Sequence, residues 1–200
     1  MYNWRRLSEE QRGELLEYRQ RQGQPWHGPP KAFEGNWYHV SATCYEHEHL
    51  IGESPARMGQ FTGDLLQTTR SCCGQVAAWC VLPNHYHVLI QCFDVEETRK
   101  RLGRLHGSTS RRWNLEDETP GRKCWHRCLP KNIKNLGHRF ATLNYIHQNP
   151  IHHQYAERWQ DWPFSSAELY LKGVGQEQAE RVWLEYPIGK IGKGWDEPGM

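Results

Sequence analysis

The chain has 200 residues, of which 37% are hydrophobic and 24% charged, the composition of a soluble protein with one domain and room for appended arms. No apolar run is long enough to span a bilayer, and the polar opening MYNWRRLSEEQ lacks a charged n-region followed by an apolar h-region, so a cytoplasmic protein without membrane contact is expected. The net charge of +2 conceals an asymmetry: residues 99–134 hold eleven Lys or Arg against three acids, a local +8, which leaves −6 on the remainder. A polyanion meeting one region of the surface would explain that split better than uniform solvation. The seven cysteines are odd in number and their spacing fits no zinc ribbon or finger, so reduced, structural thiols are expected.

In chain order, residues 8–22 open with a capping box, Ser8 with Gln11 three residues on, and read as a short helix. The Gly/Pro-rich stretch 23–30 follows, and residues 1–34 are taken as an N-terminal arm. Trp37–Thr43 is aromatic and β-branched, hence a strand, and residues 55–72 carry Met58, Phe61, Leu65 and Leu66 at helical spacing, ended by Gly74. Val76–Leu82 and His85–Phe93 are strand-like runs joined by the turn signal Pro83-Asn84, a hairpin. A very basic helix is expected from about Val95 to Trp113, a loop over 114–121, and a fourth strand over Lys123–Leu129. The last long helix runs from Leu136 to Gln148 and is ended by Asn149-Pro150. This order predicts an α+β fold, a ferredoxin-like βαββαβ sheet with an additional C-terminal helix, over residues 35–171, and a tail over 172–200.

Two groups of residues carry chemistry. In Pro-Asn-His85-Tyr86-His87-Val-Leu-Ile, strand alternation puts both imidazoles on one face and Tyr86, Val88 and Ile90 on the other, towards a core. Neutral imidazole is a common metal donor, so His85 and His87 are two candidate ligands for one cation; the bland alternative is two surface histidines on a half-exposed strand. In Tyr145-Ile-His-Gln-Asn149-Pro150, Tyr145 and Asn149 lie four apart on one helix face, so a phenol sits beside an amide oxygen able to complete a metal site. A phenol with pKa near ~10 is a poor nucleophile at neutral pH. A cation that neutralises a phosphate oxygen and eases departure of the 3′ oxygen would make it sufficient, and the phosphotyrosine so formed conserves the diester's energy for rejoining.

These motifs resemble those of the single-tyrosine HUH transposases, in which HUH denotes His, a hydrophobic residue, His. His85-Tyr86-His87 in its Pro-Asn-His-x-His-hydrophobic context matches that signature, and Tyr145-Ile-His-x-Asn-Pro150 resembles the REP-associated tyrosine transposases, the branch associated with repetitive extragenic palindromes. Ala78-Trp79-Cys80-Val81-Leu82 and Trp162-Pro163-Phe164-Ser165-Ser166 are further points of likeness, and the resemblance covers roughly residues 36–171. It implies Mg2+- or Mn2+-dependent nicking and joining of single-stranded DNA beside a hairpin, with the enzyme linked to a 5′ phosphate. Matched by position, His85 and His87 are metal ligands, Asn149 is the third ligand, and Tyr145 is the nucleophile. On ligand preference alone, two imidazoles suit Zn2+ or Mn2+ better than Mg2+. Family members often carry an acid or His shortly after the Trp of the fourth strand; Trp125–Pro130 has no acid. The REP-associated branch implies a monomer, the compact insertion-sequence enzymes a dimer.

The basic segment then has a role: Arg99, Lys100, Arg101, Arg104, Arg111 and Arg112, with Arg122, Lys123 and Lys131, are candidate phosphate contacts that set affinity and register. Unpaired bases would stack on aromatics such as Trp113 or Trp125. The alternative function is a hairpin-binding protein without catalysis, and a third is a hydrolytic metal phosphodiesterase that uses water.

Overall fold

A computed structural model describes Ser8, Glu10, residues 36–189 and residues 191–192. The chain divides into two compact units, Met1–Glu34 and Gly35–Met200. The helix expected over 8–22, and the arm that contains it, lie outside the described residues apart from Ser8 and Glu10.

The second unit is built on four strands, β1 (Trp37–Thr43), β2 (Gln75–Val81), β3 (His85–Gln91) and β4 (Leu129–Asn132). They lie in the order β2-β3-β1-β4 with every neighbouring pair antiparallel. With α1 (Pro55–Arg70) between β1 and β2 and α2 (Val95–Glu116) between β3 and β4, this is the ferredoxin-like βαββαβ arrangement. Both helices start on side-chain caps. Ser54 accepts from the Arg57 N–H ahead of Pro55 at the first helical position, and Asp94 accepts from the Glu97 N–H.

One face of the sheet holds the apolar core. Val40, Ala42, Trp79, Val81, Tyr86, Val88 and Ile90 pack there against Met58, Phe61 and Leu65 of α1 and Leu102, Leu105 and Trp113 of α2. The alternation read for β3 therefore holds, with Tyr86, Val88 and Ile90 on the core side. The opposite face of β3, with His85, His87 and Leu89, is buried too, because α3 (Leu136–His152) packs over β2 and β3. A strand covered on both faces is not the half-exposed strand of the bland reading.

Several boundaries differ from expectation for identifiable reasons. α3 runs through Pro150 to His152 instead of stopping at Gln148. Proline lacks one N–H donor, and the turn beyond it is closed by His153 N–H to Asn149 C=O at 3.1 Å and Tyr155 N–H to Pro150 C=O at 2.8 Å. The fourth strand is Leu129–Asn132, not Lys123–Leu129; Trp125 makes only an isolated bridge to Cys44 before the chain joins β1. Two helices beyond α3 were not anticipated, α4 (Ala167–Val174) and α5 (Gln176–Glu185), the second inside the segment read as tail. Ahead of α4, residues 162–166 line the outer edge of β2: Trp162 Nε1–H donates to Val81 C=O at 2.8 Å, Val81 N–H to Phe164 C=O at 2.8 Å, and Cys80 bridges Ser165. The Trp-Pro-Phe-Ser-Ser motif thus covers a sheet edge that would otherwise expose unpaired backbone groups. Among the described residues no two cysteines form a disulfide.

Candidate active site

β3 and α3 bring four of the expected residues together. Antiparallel register sets His87 opposite Ser41 and His85 opposite Thr43, on the α3 side of the sheet. From α3, Asn149 Oδ1 reaches 3.0 Å from His85 Nε2. One helical turn back, the Tyr145 ring lies edge-on to His87 with centroids 5.3 Å apart. His85 and His87 themselves meet edge to face at 5.0 Å. All four are buried: His85 is 3% exposed, His87 1%, Tyr145 6% and Asn149 0%. Gly192, in a left-handed conformation at φ +85°, lies against the Tyr145 ring so closely that a Cβ there would overlap it.

The hydrogen bonds around His85 fix its chemistry. Asn84 Nδ2 donates to His47 C=O at 3.1 Å, which turns the Asn84 amide oxygen to His85 Nδ1 at 2.7 Å. Since that oxygen can only accept, His85 donates from Nδ1, and a neutral His85 then presents its Nε2 lone pair to Asn149 Oδ1. Two lone-pair donors face each other 3.0 Å apart. A divalent cation holding two adjacent octahedral ligands at roughly 2.1 Å sets them about 3 Å apart. The Asn149 amide nitrogen is buried with no hydrogen-bond partner among the described residues. The donor set therefore fits a divalent cation held by His85 Nε2, His87 and Asn149 Oδ1. Among the described residues no group of three His, Cys, Asp or Glu side chains converges, so the amide is needed to complete the set.

Two residues passed over in the sequence bind this arrangement together. His39, fully buried on β1, puts Nε2 3.0 Å from His87 Nδ1 with the rings stacked at 5.0 Å, and it also meets the Tyr145 ring edge-on at 6.1 Å. His147, two residues past Tyr145, meets Ser166 Oγ at 2.9 Å and is stacked against Trp159 at 5.8 Å. Burial pushes His147 down to about 3, so it is a neutral tie between α3 and the motif at the β2 edge. A histidine in a strand otherwise rich in aromatic and β-branched residues was the available signal for His39. For His147 the signal was its place between Tyr145 and Asn149.

The candidate phosphate contacts do not gather at this site. Arg99, Lys100, Arg101, Arg104, Arg111 and Arg112 all lie on α2, which packs on the other face of the sheet. Arg99 pairs with Glu96, Arg101 with Glu97, Arg112 with Asp64, and Arg122 with Asp117, which also binds Arg57. That web, Arg57 foremost, holds the Asp117 carboxyl down to about 2. Lys123 sits over the Tyr45 ring at 4.1 Å. Lys131 differs from the rest: on β4 it lies directly opposite His39 and so shares the face of the histidines. Trp113 and Trp125 belong to the core against Phe61, which corrects the expectation that they stack on bases; their apolar contacts on the α1–α2 side leave no open ring face. A cavity of about 410 Å3 opens on another face of α3, lined by His147, Trp159, Tyr170 and Trp183, and is separate from the Tyr145–Asn149 face.

No protein-family model matches the chain. Over 138 residues it is 26% identical to the curated "Putative REP-associated tyrosine transposase" of Haemophilus influenzae (strain ATCC 51907 / DSM 11121 / KW20 / Rd), a match that spans 59% of this chain and 76% of the relative. Its fold matches a solved structure of the REP associates tyrosine transposase bound to a REP hairpin, with a TM-score of 0.54 at 17% identity, over 87% of this chain and 97% of the other.

Proposed function

We propose that this relative of the REP-associated tyrosine transposases nicks single-stranded DNA beside a hairpin and rejoins it, with Tyr145 as nucleophile. The observation that carries the reading is the meeting of His85 Nε2 and Asn149 Oδ1 at 3.0 Å, with Tyr145 one turn from Asn149 on the same helix and its ring against His87. A divalent cation, Mg2+ or Mn2+, held by His85, His87 and Asn149 would supply charge neutralisation on a phosphate oxygen and polarise the phosphorus.

Tyr145 Oη attacks the phosphorus. The bond from phosphorus to the phenolic oxygen forms, the bond to O3′ breaks, and the phenol's proton is balanced by the one O3′ takes up as it leaves as a hydroxyl. The 5′ phosphate remains on Tyr145, and attack by a free 3′-OH reverses the step without ATP. The burial of His85, His87, Tyr145 and Asn149 between β3 and α3 limits the access of competing water. Lys131, beside His39, supplies a positive charge to the strand on the reacting face, while the exposed Lys100, Arg104 and Arg111 on α2 are contacts for DNA that extends behind the sheet. The Tyr145 ring lies against His87 of its own chain, which supports catalysis in cis.

The test is a labelled single-stranded hairpin oligonucleotide incubated with Mn2+. A protein–DNA adduct that survives denaturation and vanishes in Tyr145→Phe is the expected result. Cleavage that turns over unchanged in Tyr145→Phe would mean a water nucleophile, and binding without any adduct would mean a hairpin-binding protein.

A further inference from the structure

The reading above requires His87 to offer a ring nitrogen to the cation, and His39 decides which one. His87 Nδ1 is occupied by His39 Nε2 at 3.0 Å, both rings are buried, and the stack at an interplanar angle of 29° holds them in register. His87 Nε2 is the ring nitrogen turned away from His39. The contact between two neutral imidazoles holds one proton, and two arrangements exist. If His39 Nε2 donates, His87 accepts on Nδ1 and must carry its own proton on Nε2, which blocks metal binding. If His87 Nδ1–H donates, His39 accepts and His87 Nε2 carries a lone pair in place of a proton.

We infer that His39 is a positioning residue: its Nε2 accepts the His87 Nδ1–H and thereby fixes the metal-binding tautomer of His87. The inference rests on the metal role of His87 proposed above. It also makes the two histidines of β3 a matched pair. Asn84 Oδ1 accepts from His85 Nδ1 at 2.7 Å, and His39 Nε2 does the same for His87 at 3.0 Å, so each ring is tied through Nδ1 and turns its Nε2 away from that partner. A metal-bound imidazole is ordinarily oriented by a hydrogen bond from its other ring nitrogen to a carboxylate, a carbonyl or water. Here a strand neighbour does it without adding charge. The placement follows from register, since His39 faces Leu89 and so lies diagonally from His87, which faces Ser41.

The test uses the full chain with 15N-labelled histidine. In the metal-free protein, long-range proton–nitrogen correlation spectra assign the proton of His87; the expected position is Nδ1, and a proton on Nε2 overturns the inference. Mn2+ binding, read from the electron paramagnetic resonance of free Mn2+, then compares wild type, His39→Leu and His39→Gln. Leucine removes the acceptor, and affinity is expected to fall about 10–100-fold. Glutamine offers an amide oxygen at similar reach and is expected to recover most of the loss, which a purely packing role would not give. Wild-type affinity in a folded His39→Leu chain sinks the inference alone. A wild-type chain that binds no Mn2+ sinks the metal reading, while the spectra still decide the tautomer. Should His39→Leu fail to fold, the wild-type spectra decide.

Discussion

His147 Nε2 stands 2.9 Å from Ser166 Oγ, and that hydroxyl also accepts from the Trp79 backbone N–H at 2.9 Å. One serine thus joins α3, which carries Tyr145 and Asn149, to β2, which pairs with the strand of His85 and His87. Ser166→Ala strips a buried backbone donor and a buried ring nitrogen of their partner at once. Each unmet group costs about 1–3 kcal/mol, and the loss should appear as a lower urea midpoint with an unchanged slope. An unchanged midpoint would mean that the link is not structural.

Stability should depend on acid in a defined direction. Burial holds His106 at about 4 and His147 at about 3, both below the ordinary 6.5. Unfolded, both take protons as pH falls through 6.5; folded, neither does until about 4 and 3. Unfolding therefore takes up protons in that window, and the stability that is full above 6.5 declines as pH drops towards 4, by up to about 1.4 kcal/mol per pH unit for each histidine. Asp117 has the same sign lower down: its pairing with Arg57 is intact above 3.8 and lost as pH falls through about 2. Calorimetric melting temperatures that stay flat between neutral pH and 4 would contradict the burial of the two histidines.

Asn149 is the residue whose chemistry the metal reading strains most, because an amide is a weak ligand. In Asn149→Asp an added unit charge beside the cation should tighten Mn2+ binding by about tenfold or more, since about 1.4 kcal/mol suffices for that factor. Without metal the same variant should melt lower than wild type above the pH at which His85, 3.0 Å away, takes up a proton to pair with it, as Asn149 is fully buried and an uncompensated carboxylate is costly there. Isothermal titration and melting with and without Mn2+ check both halves. Weaker binding in the Asp variant would place the cation elsewhere.

The sheet and its first two helices were legible because alternation and helical spacing are local signals with one consistent solution. Met58, Phe61 and Leu65 face the side of β3 that Tyr86, Val88 and Ile90 present. The pairing of His85 with Asn149 was legible only through the joint motif, since 64 residues separate them and no local pattern spans that distance. What escaped was tertiary. His39 looks like any strand residue until β1 is set beside β3 in antiparallel register, and the charge of α2 says nothing about which face of the sheet that helix will cover. Pro150 was read as a stop, yet a helix near its end has carbonyls to spare and tolerates one missing donor. α5 was lost in a segment whose composition resembles a tail; its inward residues, Ala179 and Val182, are too few to stand out.

Lys131 and Arg104 separate the two ways DNA can meet the protein. Lys131 is on the histidine face and Arg104 is exposed on α2 behind the sheet. Lys131→Ala should slow adduct formation and lower the slope of log affinity against log salt by about 0.7–0.9, the loss of one phosphate contact. Arg104→Ala should leave the adduct rate of a short oligonucleotide unchanged. Equal effects on rate would mean that the strand reaches α2 even in a short substrate.

Gly52 bears on the site from below the β2–β3 turn. A Cβ at 52 would collide with the side chain and backbone of Pro83, while the Gly52 N–H donates to the Pro83 C=O at 2.9 Å. Pro83 precedes Asn84, whose oxygen holds the His85 proton. Gly52→Ala must therefore push the turn away from α1's entry, and the backbone contact leaves no flexible side chain to absorb it. Overpacking of this kind costs about 1–3 kcal/mol. The larger effect should be on His85: with Asn84 displaced, Mn2+ binding weakens more than melting alone accounts for. Melting and Mn2+ titration of the same preparation separate the two, and a variant that loses stability but keeps its Mn2+ affinity would show that the Asn84–His85 bond does not depend on the seat of Pro83.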